Sequence, residues 1–287
     1  MALDNPARQQ RHMHAVQLRQ WHREPPILVL PNAWDAASAR VFEQVGFRAV
    51  ATTSSGIAAA YGYPDGEQMS RDLMIAAIGR IAAAVDCPVT ADIEAGYGAT
   101  VEAKLDTIRA VVEAGAVGIN IEDSAQQAAG VSPLVDLAQQ VALIQAIRAA
   151  AAGWSIPLVI NARTDLYLYP DDGDAERRLA ETVRRGNAYL EAGADCVFPI
   201  GATDAVTIGN LTRAITGPIN ILASPRTPTI PELARLGVAR VSFGGGLARV
   251  ALGAVRRAAD ELLRQGTFTS MAQDALPAPD FRRLFAG

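Results

Sequence analysis

Val89-Thr90-Ala91-Asp92-Ile93-Glu94-Ala95-Gly96-Tyr97-Gly98, followed by the segment Val101 to Glu113 and then by Gly115-Ala116-Val117-Gly118-Ile119-Asn120-Ile121-Glu122-Asp123, is the stretch on which the fold turns. It reads as a short β-branched run, a polar loop, and a segment whose Val101, Leu105, Ile108 and Val112 recur at helical spacing. A glycine stop and a second β-branched run follow. Two such runs joined by a helix-length crossover form a parallel strand pair.

Outward from this unit the pattern repeats in both directions. Strand candidates are Ile27 to Leu30, Ala49 to Thr53, Val89 to Asp92, Gly118 to Glu122, Leu158 to Ala162, Cys196 to Ile200, Ile219 to Leu222 and Arg240 to Phe243. Gly46, Gly115, Gly193 and Gly237 each end a helical segment just before the next run, as left-handed C′ residues do. Eight alternating units suit a closed (β/α)8 TIM-type barrel better than an open doubly wound sheet, whose first turn would carry a Gly-rich nucleotide loop. Pro31-Asn32-Ala33-Trp34 stands there instead. The expectation is therefore a single α/β barrel domain over residues 1–287, with an N-terminal helical extension over 1–24 and a C-terminal tail over 267–287. The extra helix, over 6–24, would close the bottom of the barrel and bury Val16, Leu18 and Trp21. In the last helix, Gly245 to Gln265, the stripe Leu247, Val250, Ala254, Ala258 and Leu262 is expected to lie against the strands. The tail residues Phe281, Leu284 and Phe285 would pack on a neighbouring subunit.

Composition narrows the function. Half of the 287 residues are hydrophobic, and 26 basic side chains against 30 acidic ones give a net charge of −4 without blocks of either sign. No basic stripe is present to follow a nucleic acid. No apolar run approaches the roughly 20 residues that span a bilayer. The polar start, Met1 to Arg11, lacks a signal-like apolar core, so a cytoplasmic location is expected. Cys87 and Cys196 read as small buried hydrophobes. His12, His14 and His22 precede the barrel and are poorly placed as bases.

In such a barrel the chemistry sits where strands end. Asp92 and Glu94 follow the third strand, Glu122 the fourth and Arg163 the fifth. Three carboxylates on adjacent strand ends repel unless a hard divalent cation lies among them. Magnesium fits best, because it takes one or two carboxylates and keeps several waters; manganese would also fit. Arg163 has the fork to hold a carboxylate in bidentate fashion. Asp123 and Asp165 read as helix caps. Trp34, at the end of the first strand, could floor the pocket. Gly244-Gly245-Gly246 opens a helix that could hold an anion, an alternative that leaves the carboxylates without a role.

From about Leu28 to Gly266 the sequence resembles the isocitrate lyase and phosphoenolpyruvate mutase superfamily. The likeness is carried by Pro31 to Ala39, by Gly46 to Ala58 with Thr53-Ser54-Ser55-Gly56, by Asp65-Gly66, by Asp92-Ile93-Glu94-Ala95-Gly96-Tyr97-Gly98, by Gly115 to Asp123, and by Asn161-Ala162-Arg163-Thr164-Asp165. The family's metal motif has two aspartates; here the second is Glu94. The resemblance implies Asp92 as principal magnesium anchor, with Asp65, Glu94 and Glu122 positioning its waters. It implies Arg163 as the carboxylate clamp, and donors around Thr53, Ser54 and Ser55 for the oxygen that gains negative charge. It also implies a homo-oligomer, a dimer or tetramer with the last helix exchanged between subunits. The substrate class is a small 2-oxo or 2-hydroxy carboxylate, cleaved between carbons through a stabilised enolate.

Two departures bear on the reaction. Where the lyases carry a cysteine-containing mobile loop and the mutases a lysine-bearing one, this chain has Ser124-Ala125-Gln126-Gln127-Ala128-Ala129-Gly130-Val131-Ser132-Pro133, without Cys, Lys or His. Ile200 falls where the lyases place a glutamate and the mutases a histidine, and Asn220 and Ser242 could compensate as substrate contacts. Carbon–carbon cleavage or decarboxylation is favoured over phosphorus–carbon chemistry, because only Arg163 offers a cation near the site. A non-catalytic protein that binds a 2-oxo acid is the third reading.

Overall fold

The computed structural model describes residues 6–124, 134–169 and 174–285. In chain order the elements are α1 (Pro6–Trp21), β1 (Leu28–Leu30), β2 (Asn32–Ala33), α2 (Ala36–Val45), β3 (Val50–Thr52), α3 (Ser54–Ala60), α4 (Arg71–Ala84), β4 (Val89–Asp92), α5 (Val101–Glu113), β5 (Gly118–Glu122) and α6 (Leu137–Gly153). There follow β6 (Val159–Thr164), α7 (Ala175–Glu191), β7 (Cys196–Pro199), α8 (Ala205–Ala214), β8 (Asn220–Leu222), α9 (Ile230–Arg235), β9 (Arg240–Ser242), α10 (Gly246–Gln265), α11 (Thr269–Asp274) and α12 (Ala278–Arg283). All eight expected strands are present, the first divided at Pro31, which has no N–H to donate to a ladder.

Every strand pairing is parallel. β2 through β7 form one sheet in sequence order, and β1, β9 and β8 form a second. The bridge Val197↔Ile219 joins β7 to β8, and β1 runs into β2 through Pro31, so the pairings return to their start. The strands read as near-continuous apolar runs because they are buried on both faces, and with the helices they fill a core that runs from Leu18 and Leu28 through Ile119, Ile144 and Ile160 to Tyr189. Gly46, Gly115, Gly193 and Gly237 take φ of 102°, 116°, 109° and 88°, the left-handed stops read from the sequence.

α1 closes the end of the barrel where the strands begin. Leu18 is fully buried against Gly118, and Arg19 donates to the Leu158 carbonyl. Val16, expected to be buried with it, is 46% exposed, because α1 touches the barrel along a narrower line than its apolar pattern implies.

A larger correction concerns α10. Val250 is 67% exposed and Leu263 87%, and Ala248 is the helix's one buried residue. Of the stripe expected to cover the strands, Val250 and Leu262 are exposed and Leu247, Ala254 and Ala258 are only partly buried, and Phe268, Phe281 and Phe285 are exposed as well. Of the tail residues, Leu284 packs within the chain at 2% exposure. Among the described residues no helix is long and apolar enough to cross a membrane.

Candidate active site

The β3–α3 junction builds one wall of the mouth. Thr53 ends the strand in extended conformation and caps α3, its Oγ1 accepting from the Gly56 amide at 3.3 Å. That turn points Ser54 across to β4, where its amide (3.1 Å) and hydroxyl (2.9 Å) both donate to Asp92 Oδ2. The Asp92 amide in turn donates to Thr52 Oγ1 at 2.9 Å. Asp92 is thus held on one oxygen, while its Oδ1 is buried and has no partner among the described residues. A buried carboxylate oxygen without a donor is costly, so a ligand with positive charge is the natural complement.

Further acids lie near enough to feel the Asp92 charge. Burial, and then the nearby Asp92 charge, raise the Asp65 carboxyl above its usual range, with a hydrogen bond from the Gly66 amide and the Arg163 charge opposing. Glu94 is folded back by a turn in which Glu94, Gly96 and Tyr97 all have positive φ, of 52°, 103° and 54°. Such conformations are uncommon for residues with a Cβ and require support. Tyr97 Oη donates to Glu94 Oε1 and the Glu67 amide to Glu94 Oε2, at 2.8 and 2.7 Å, while the Tyr97 amide donates to Glu67 Oε1 at 2.8 Å. Burial pushes the Glu94 carboxyl up to about 7; the Tyr97 hydrogen bond opposes this, and the charges of Asp92 and Asp65 add to it.

On β5 and β6, Glu122 and Arg163 are direct register partners, and Arg163 Nη1 lies 2.7 Å from Glu122 Oε2. Arg163 Nε and Nη2 reach the two oxygens of Asp165 at 2.5 and 2.9 Å. Burial raises the Glu122 carboxyl, with Arg163 opposing, while the two flanking acids hold Arg163 in its charged form. The fork assigned to a substrate is therefore braced from below, leaving an N–H on each terminal nitrogen for a ligand.

Asp123 and Asp165 are not helix caps; Asp136 and Asp174 cap α6 and α7. Asp123 instead accepts from Tyr189 Oη (2.6 Å), Arg185 Nη1 (3.1 Å) and the Asp165 amide (3.0 Å), which ties β5 to α7 and holds the loop that carries Asp165. The donors expected around Thr53 are also partly engaged. The Thr53 amide serves the Ala33 carbonyl and the Ser54 amide serves Asp92, while the Ser55 hydroxyl lies 3.1 Å from Thr53 Oγ1. Trp34 packs edge-on against Phe42 and beside Gly56, forming the base of this wall. Asn220 is not brought to the mouth. It begins β8, is fully buried, and donates to Ser242 Oγ at 3.1 Å. The segment 125–133 lies outside the described residues, and Ser124, just before it, donates to Glu122.

Sequence reasoning missed the Glu67–Glu94–Tyr97 brace and the Asp123–Arg185–Tyr189 tie. Tyr97 stands inside the quoted motif and Glu67 directly after Asp65-Gly66, so proximity was the only available signal. The two cysteines are inert: burial pushes both thiols up to about 12.

Among the described residues no three His, Cys, Asp or Glu side chains stand close enough to cage a metal ion. A single anchoring carboxylate with an unpartnered oxygen, with Asp65 and Glu94 near enough to feel its charge, fits magnesium, which keeps most of its waters, rather than a metal that needs a closed protein cage. Asp92 would hold it, with Asp65 and Glu94 accepting from its waters.

Comparison with known proteins agrees with this architecture. A structure of a Burkholderia cenocepacia protein described as a lyase or mutase superposes with a TM-score of 0.87 at 41% identity, covering 97% of this chain and 98% of that one. The 2,3-dimethylmalate lyase of Eubacterium barkeri is 30% identical over 230 residues, 78% of this chain and 77% of its own. Phosphonopyruvate hydrolase, solved with oxalate and magnesium, gives a TM-score of 0.82 at 26% identity, covering 94% of each chain. The family described as phosphoenolpyruvate phosphomutase matches residues 18–263. The chain belongs to that family, and with it to the isocitrate lyase and phosphoenolpyruvate mutase superfamily.

Proposed function

We propose that the protein is a magnesium-dependent lyase that breaks a carbon–carbon bond, by retro-aldol cleavage or decarboxylation, in a small 2-hydroxy or 2-oxo di- or tricarboxylic acid. The observation that carries this reading is the unpartnered Asp92 Oδ1 among Asp65, Glu94 and Glu122, with Arg163 charged beside them. When bound, magnesium supplies positive charge to the 2-oxo oxygen on which negative charge gathers as the bond to C3 breaks. Arg163 orients the substrate by its carboxylate through the N–H groups that Glu122 and Asp165 leave free. Ser54 fixes the Asp92 rotamer, and Trp34 and Gly56 shape the wall against which the acid lies. Asp65 and Glu94 accept hydrogen bonds and so hold water molecules in fixed orientation around the site.

The chemistry named for the relatives supports this class, since dimethylmalate cleavage and phosphonopyruvate hydrolysis both act next to a 2-oxo or 2-hydroxy carboxylate. Phosphorus–carbon cleavage is the less favoured reaction, because a phosphonate asks for several cations and Arg163 is the one arginine paired with the acids of the mouth among the described residues. A specific observation favours a second reading, a 2-oxo acid binding protein without turnover: residues 124–133 contain no Cys, Lys or His. Incubation with oxaloacetate, methylated malates, isocitrates and phosphonopyruvate, with magnesium or EDTA and beside Asp92→Ala, separates the readings. Metal-dependent release of a 2-oxo acid, lost in the variant, is expected; binding without release would support the second reading.

The outward apolar face of α10 supports an oligomer in which this helix packs on a second subunit. Val250→Glu combined with Leu263→Glu is expected to lower the mass measured by light scattering to that of one chain.

A further inference from the structure

Beneath Asp92 the barrel interior is polar where a barrel of this kind is ordinarily filled with branched apolar side chains. Arg240, the first residue of β9, is fully buried, and among the described residues it forms no ion pair. Its Nη2 donates to Asn120 Oδ1 at 3.2 Å, and its Nη1 lies 3.4 Å from His22 Nε2. His22 Nδ1 donates to the Leu18 carbonyl at 2.7 Å, so Nε2 is the ring's acceptor. Burial, and then Arg240 itself, lower the His22 pKa to about 3, so the imidazole is neutral and supplies no countercharge. Burial also lowers the Arg240 pKa to about 10, which leaves it charged at neutral pH.

An unpaired buried guanidinium is expensive, and its surroundings carry further unmet polarity. Arg240 Nε, Thr90 Oγ1, Asn161 Oδ1, Asn220 Oδ1 and Asp92 Oδ1 are all buried without a partner among the described residues. They share one interior. Asp92, Asn120 and Asn161 are register neighbours across β4, β5 and β6, Asn220 pairs with Arg240, and Asn161 Nδ2 donates to Asn120 Oδ1 at 2.7 Å. The orphan atoms include both donors and acceptors, a mixture that suits water rather than an anion.

We propose that internal water molecules link Arg240 to Asp92, and that Arg240 is a positioning residue whose buried charge partly balances the acids of the mouth when no metal is bound. This rests on the reading of Asp92 as the metal anchor. Arg240 would stabilise the metal-free site and oppose a cation binding at Asp92, so its loss favours the metal-loaded state.

The test is a Mn2+ titration followed by electron paramagnetic resonance, with thermal denaturation of metal-free and metal-loaded protein, on wild type, Arg240→Met, Arg240→Gln and Arg240→Lys. Arg240→Met and Arg240→Gln are expected to bind Mn2+ about tenfold more tightly and to melt lower without metal, with a larger metal-induced rise in Tm. Arg240→Lys, which keeps the charge, is expected to bind as the wild type does. An unchanged or weaker Mn2+ affinity in folded Met and Gln variants, with equal losses of Tm in both states, would overturn the inference and reduce Arg240 to a structural role. No Mn2+ binding by wild type would instead overturn the metal-site reading on which the inference rests. Should the variants not fold, a high-resolution crystal structure of the wild type decides: ordered waters on Arg240 Nε, Thr90 Oγ1 and Asn161 Oδ1 support the inference, and a dry interior overturns it.

Discussion

The barrel holds a buried aspartate at its floor, Asp195, and a group of acids at its mouth, and the two ends are built differently. At the floor, Asp195 takes both arginines available to it, Arg19 at 2.9 Å and Arg148 at 2.5 Å, and also accepts from the Ile160 amide at 2.9 Å. Folding completes that acid. At the mouth, Arg163 is shared by Glu122 and Asp165, while among the described residues Asp65, Asp92 and Glu94 have hydrogen-bond donors but no ion pair. Folding stops short there, and burial has already raised the Asp65, Glu94 and Glu122 carboxyls. The same side-chain chemistry serves as a tie where its charge is matched and as a ligand site where it is not.

The widest test of this contrast exchanges one acid from each end. Asp92→Asn is expected to weaken Mn2+ binding by about a hundredfold or more while leaving the metal-free Tm unchanged or higher, because it relieves repulsion. Asp195→Asn is expected to do the reverse, lowering stability in urea by about 2 kcal/mol with Mn2+ affinity intact, since its arginines are partly solvated and the loss is smaller than for a fully buried pair. Similar effects of the two changes on both measurements would erase the distinction.

Next in size is Arg163→Lys. A lysine keeps the charge but cannot span both Asp165 oxygens and Glu122 together, so the affinity for a 2-oxo acid or oxalate in magnesium should fall by roughly tenfold to a hundredfold, by calorimetry.

The pH dependence is smaller and differs between the two ends. Glu94 has its folded pKa raised from 4.5 to about 7, so the folded metal-free protein holds an extra proton between those values. Its contribution to stability is fully present below about pH 4.5 and is lost as pH rises to about 7. Mn2+ affinity should therefore climb toward pH 7 and then level, and Glu94→Gln should flatten the climb. His22, beneath the floor, has its folded pKa lowered from 6.5 to about 3. The unfolded chain alone takes up that proton, so stability is fully present above about pH 6.5 and declines as pH falls toward 3, by about 1 kcal/mol per pH unit. His22→Gln should make that decline shallower in thermal melts.

Much of the fold was legible because its signals are local. β-branched runs, helical stripes and glycine stops are written within each βα unit, and the strands appeared within a residue or two of the positions read. Position at a strand end was equally legible, which is why Asp92, Glu94, Glu122 and Arg163 could be named, whereas Asp65, in the loop between α3 and α4, was named from the family resemblance alone. What each acid faces was not. Asp123 looks like its neighbour Glu122 in sequence, yet Arg185 and Tyr189, more than sixty residues later, decide that it is a tie. The α10 stripe is periodic whichever surface covers it, so its pattern gave no warning that Val250 and Leu262 would be exposed. Arg240 sits in a strand-like run where a charge reads as an edge residue, and only barrel closure puts it at the centre.

The account's central claim is that the mouth holds a 2-oxo carboxylate through a cation anchored on Asp92. Calorimetric titration with oxalate, a compact mimic of a 2-oxo acid's chelating end, tests it most directly, in magnesium and then in EDTA. The account predicts binding in magnesium that disappears in EDTA and in Asp92→Asn. Oxalate binding that survives both, or that is absent in magnesium, would contradict it.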